Sequence, residues 1–91
     1  VDADEVCAKV LRRVLKRLKR KNDDPYRHTV YVLEDDGSVL VFRDVFCFVH
    51  RHYLVVSSPS WTRRFLVDDL EDYSCSGVKR VDEVDEEGRP L

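Results

Sequence analysis

The hydrophobic period changes once along this chain, and that change limits what it can fold into. Ala3, Val6, Cys7, Val10, Leu11, Val14, Leu15 and Leu18 recur at i, i+3, i+4 and i+7, which lays one apolar stripe along a helix. After Pro25 the period falls to two, the alternation of strands. His28 to Glu34, Val39 to Arg43, Val45 to Ser57 and Trp61 to Val67 are rich in β-branched and aromatic residues. One striped helix and several alternating strands bury their apolar sides most simply against each other. The fold expected is α+β, with an N-terminal amphipathic helix packed on one face of an antiparallel sheet of about four to five strands.

Punctuation supports the same division. Asp2 or Asp4 is placed to cap the helix, and Asn22-Asp23-Asp24-Pro25 stops it after Lys21. Asp35-Asp36-Gly37-Ser38 reads as a hairpin turn, Arg43-Asp44 as a bend or bulge, and Ser57 to Ser60 as a second turn. Beyond Val67 the chain is more polar, anchored by Leu70 and Tyr73, and Val78, Val81 and Val84 recur every third residue among charges. With 91 residues the chain has room for one domain. The expected limits are a single domain over 1–81 and an acidic, flexible tail over 82–91.

Val45-Phe46-Cys47-Phe48-Val49 is apolar on both alternating faces, the mark of a strand covered on both sides. One helix covers one face. A homodimer or another protein partner is therefore expected over the second sheet face.

Charge is spread unevenly. Residues 1–21 hold eight Lys and Arg against three Asp and Glu, whereas the remainder holds eight against fifteen. Lys9, Arg12, Arg13, Lys16 and Arg20 fall opposite the apolar stripe, and Arg17 and Lys21 flank them. Several cations on one surface are what phosphate binding needs, because affinity grows with the number of counterions released. These seven residues are the candidate nucleic-acid contacts. The competing reading is a solvated helix face that complements its own C-terminal dipole and the acidic sheet. The order helix, strand, strand, strand is similar to that of the double-stranded-RNA-binding domain, but no second long helix with a Lys-rich start follows, and the chain is not assigned to that family.

Other constellations are thinner. His50 and His52 would share a face of one long strand, with Cys47 on the other, and a closed zinc site needs four ligands. His28, His50, His52 and Arg51 could serve acid–base chemistry on RNA if they met, as in a small toxin-like ribonuclease. The acidic pairs lack the alternating oxygens and glycine of a calcium loop. Trp61 beside Arg63 and Arg64 suits either base stacking or a core tryptophan under an arginine. Cys7, Cys47 and Cys75 form no C-x-x-C pair, an odd set consistent with free thiols in an intracellular (cytoplasmic or nuclear) protein. No cofactor, metal or membrane contact is expected. The sequence reads as a non-enzymatic interaction module, first for nucleic acid through the basic helix, second as a protein-binding adaptor or regulatory protein, third as a small ribonuclease.

Overall fold

The structure, a computed structural model, describes residues 3–20, 24–76 and 83–91. Helix α1 spans Ala3–Arg20. The cap assigned to Asp2 or Asp4, and Lys21 to Asp23, lie outside the described residues or side chains. Asp24 then accepts the Tyr26 N–H at 3.0 Å, an Asx turn that carries the chain away from the helix before the first strand. Cys7, Val10 and Val14 are buried along the centre of the stripe, with Leu11, Leu15 and Leu18 packed at its margins.

Strands β1 (His28–Glu34), β2 (Val39–His50), β3 (Tyr53–Ser57), β4 (Thr62–Leu66) and β5 (Leu70–Cys75) form one sheet in the order β4-β3-β2-β1-β5. Every ladder is antiparallel. Two expected turns are present. In the β1–β2 hairpin the Gly37 N–H donates to the Glu34 carbonyl at 2.9 Å, and Gly37 takes φ +89°, the left-handed position that favours glycine in such a loop. In the β3–β4 loop Ser58 Oγ accepts the N–H groups of Ser60 (3.2 Å) and Trp61 (3.1 Å).

The third turn was not expected. Val45 to Ser57 is not one extended run: β2 ends at His50, and Arg51-His52 reverses the chain with φ of +47° and +66°. A two-residue hairpin with both central residues left-handed normally uses Asn or Gly. Arg-His carries no such signal.

The expected irregularity at Arg43-Asp44 is where the sheet folds over. Register slips between His28↔Val45 and Val30↔Phe42, and Asp44 takes φ +57°. The consequence can be measured. Phe65 pairs with Leu54, and Leu54 with Val49, seven residues along β2 from Phe42. In a flat sheet that offset alone would part the rings by roughly 23 Å at ~3.3 Å per residue. The Phe42 and Phe65 centroids lie 6.0 Å apart. So β2 bends at its bulge, and the half-sheet β5-β1-β2 closes over the half-sheet β2-β3-β4.

This bend gives the molecule two cores. Inside the fold-over, Val30, Val32, Val45, Val49, Leu54, Val56, Phe65 and Cys75 are buried together. On the outer side of β2 and β3, Phe46, Phe48 and Val55 receive the stripe of α1 and the side chain of Val84. The second apolar face of Val45–Val49, which the sequence reading left for a partner to cover, is thus covered by the chain itself. That removes the reason given for a dimer over this face.

Residues 83–91 also differ from expectation. Within the expected acidic tail they form a strap laid against the sheet and the helix. Glu83 bridges Val49 in parallel, Val84 bridges Pro90, and the Val84 N–H donates to the Val49 carbonyl at 2.8 Å. Val78 and Val81, read with Val84 as a periodic set, lie outside the described residues. No described helix is long and apolar enough to cross a membrane.

Candidate polyanion-binding face of the helix

The apolar stripe fixes the rotation of α1, so its opposite side must face solvent. Lys9, Arg12, Arg13 and Lys16 project there and line one shallow depression. From Lys9 to Lys16 the rise is roughly 10 Å at about 1.5 Å per residue. Of the seven candidates, Arg17 sits half-buried at the margin, and the side chains of Arg20 and Lys21 lie outside those described.

The strap divides the face. Arg13 Nη1 donates to the Glu86 carbonyl at 2.6 Å and stands 3.7 Å from the Glu87 carboxylate. Arg17 Nη1 donates to the Gly88 carbonyl at 2.6 Å. Arg51, in the β2–β3 turn, pairs with Glu86. These arginines hold the strap, which in turn supplies acceptors that the sequence reading did not anticipate. By contrast Lys9, Arg12 and Lys16 are exposed and have no acidic partner among the described residues.

The strap is ordered by its own chemistry as well. The Asp85 carboxylate accepts the N–H groups of Glu87 (2.9 Å) and Arg89 (3.0 Å). The Arg89 hydrogen bond, aided by the nearby charges of Arg89 and Arg17, holds this carboxyl below its ordinary pKa. Gly88 takes φ +76° and lies so near the helix that an added Cβ would stand 3.0 Å from the Val14 nitrogen.

The histidine and cysteine readings separate in space. His50 is 2 % exposed on the helix side of β2, with Nδ1 bonded to the Val84 carbonyl at 2.9 Å. That bond needs the proton on Nδ1, and it leaves a buried Nε2 with no partner among the described residues. His52 does not share a strand face with His50; it is exposed in the turn. His28 Nδ1 meets the Ser76 carbonyl at 2.8 Å. The three imidazoles therefore do not converge, as the ribonuclease reading would require. Cys47 lies inside the fold-over beside Cys75, and burial raises both thiols above the ordinary range. Among the described residues no three His, Cys, Asp or Glu side chains are placed to hold a metal ion.

Trp61 is neither deep core nor free-standing. Its ring lies 5.5 Å from Phe42 at the mouth of the fold-over. The Arg63 guanidinium covers Phe42 at 5.5 Å and Phe65 at 4.9 Å, closing that mouth by cation–π contact.

No family model matches the chain, and neither a curated protein nor a solved structure matches it.

Proposed function

We propose that the protein is a small non-enzymatic binding module that engages the phosphates of nucleic acid through the outer face of α1. Lys9, Arg12 and Lys16 make the contact, with Arg13 at its edge. The observation that supports this is the pattern of pairing: the cations at the strap are engaged, and the three along the exposed ridge are left facing water. Lysine and arginine on a convex rod grip phosphates without reading base edges, so binding is weak in sequence preference and strong in salt dependence.

Fluorescence anisotropy with labelled 20-mer RNA and DNA, single-stranded and duplex, tests this. Three duplex phosphate contacts give a log–log salt slope near −2.7, at about −0.9 per contact. The triple variant Lys9→Glu, Arg12→Glu, Lys16→Glu should lose binding while keeping its circular dichroism and melting temperature. No binding at 50 mM salt, or binding indifferent to salt, would end the proposal.

A further inference from the structure

We infer that Cys47 and Cys75 are a reversible redox pair, which oxidation joins into a disulfide across the fold-over. The two residues come from different half-sheets. Cys47 lies on β2 opposite Val56 of β3, and Cys75 ends β5 opposite Val30 of β1. No ladder connects β2 with β5, because β1 stands between them. Val30 in turn is opposite Phe42, five residues along β2 from Cys47. A flat sheet would hold the two cysteines apart by roughly 16 Å along the strands and about 10 Å across them, at ~3.3 Å per residue and ~4.8 Å per strand.

The bend at Arg43-Asp44 cancels both offsets. Cys75 is buried in the inner core, Cys47 packs against the same cluster, and the two thiols face each other as hydrogen-bond partners. From there a small closing movement reaches the S–S bond length of about 2 Å. Cys7 sits in the other core, with Phe46 and Phe48 on the helix side of the sheet. Of the three pairings that three cysteines allow, the fold thus prepares one.

A small disulfide such as oxidised glutathione is the oxidant. Cys47 keeps more exposure than Cys75, which is 8 % exposed, so Cys47 meets it first. The Cys47 thiolate attacks one glutathione sulfur, the glutathione S–S bond breaks, and one glutathione leaves as a thiol. Cys75 then attacks the Cys47 sulfur, forming the protein disulfide and releasing the second glutathione. The two protons of the protein thiols end on the two released thiols, and the two electrons have reduced the glutathione disulfide. Burial suppresses both thiolates, which makes the exchange slow. Proximity makes the second step the fate of the mixed disulfide. The new bond closes a loop through β3 and β4, restricts the unfolded chain and ties the two half-sheets together. Excess thiol opens it by the reverse steps.

Peptide mapping tests this. Reduced protein at about 10 μM is equilibrated with oxidised glutathione, alkylated, and digested with trypsin without reduction. Trypsin cuts at Arg51 and Arg64, so the two cysteines fall in separate peptides. Mass spectrometry should find those peptides linked as the main product, and dithiothreitol should separate them. The oxidised protein should melt at least about 5 °C above the reduced protein. Cys7→Ala should behave as wild type, whereas Cys47→Ala and Cys75→Ala should show neither the link nor the rise. The wild-type map decides the matter even if those variants do not fold. A mixed glutathione disulfide as the end product, a bond to Cys7 or to a second chain, no oxidation, or a lower melting temperature on oxidation would overturn the inference.

Discussion

At the β2–β3 turn His52 holds φ at +66° with its ring exposed and no ring hydrogen bond among those described, while its carbonyl accepts the Val67 N–H at 2.7 Å. For a residue with a Cβ this conformation costs roughly 1–2 kcal/mol, and glycine escapes it. His52→Gly should therefore raise stability by about 1 kcal/mol, seen as a higher urea midpoint at unchanged slope. No gain would mean that the ring is held by contacts that offset its backbone. Arg51 shares the left-handed geometry at φ +47°, but its pairing with Glu86 ties it to the strap. The same turn shows where sequence reading stops. Asp35-Asp36-Gly37 announced its hairpin because Gly37 supplies the left-handed position cheaply. Arg51-His52 adopts such positions without the residues that favour them, so tertiary packing on either side overrides local preference. One consequence was the misplacement of His52 on a strand face beside His50.

Among the elements, α1 was legible almost to its ends because four turns of stripe leave a single face to bury. Strands β1 and β4 were legible as alternating runs, whereas β2 and β3 were divided at Arg43-Asp44 and not at Arg51-His52, and β5 was legible only as a polar stretch anchored by Leu70 and Tyr73. The fold-over was legible only as a bend at Arg43-Asp44; what it does depends on Phe42 meeting Phe65 across the sheet, and pairing over such a distance leaves no local mark. The strap was missed for a similar reason. Its acids suggest solvent, while what anchors it is Val84, two main-chain carbonyls and one glycine, Gly88. Gly88→Ala tests that anchoring, since its Cβ would meet Val14 N at 3.0 Å and Val14 Cγ2 at 3.1 Å on a backbone at φ +76°. The conformational penalty and the crowding together cost about 2–4 kcal/mol, so the melting temperature should fall by at least about 10 °C. Gly37→Ala is the control: it has a similar φ of +89° but nothing within 4 Å, and it should lose only about 1 kcal/mol. Equal losses in the two variants would mean that the strap is not seated on the helix. Of the candidate site, the ridge itself was readable from helical spacing. The diversion of Arg13 and Arg17 to the strap was not, because their acceptors lie 73 and 71 residues away.

For the molecule as a whole, the uneven charge of the two sequence segments becomes a division of labour on the surface. Of the basic excess in residues 1–21, Arg13 and Arg17 are engaged by the strap, and Lys9, Arg12 and Lys16 face outward. The sheet closes its own inner face, and Cys47 and Cys75 report on that closure. Burial raises both thiols, which suppresses the thiolate that reacts with alkylating agents. Iodoacetamide at pH 8 should label these two cysteines at least a hundredfold more slowly in the native protein than in urea, read peptide by peptide by mass spectrometry. Native labelling as fast as in urea would show that the two half-sheets do not stay closed.

The clamp between helix and strap also bears on the order of assembly. A ribosome makes Arg13 and Arg17 more than seventy positions before residues 86 and 88, respectively. Until those two carbonyls emerge, Arg13 and Arg17 lack the acceptors that tie them down, and the helix lacks the Val84 side of its groove. The helix is therefore secured only once the strap that follows the sheet has been made, and a nascent chain stalled before the strap would expose its oily stripe to chaperones.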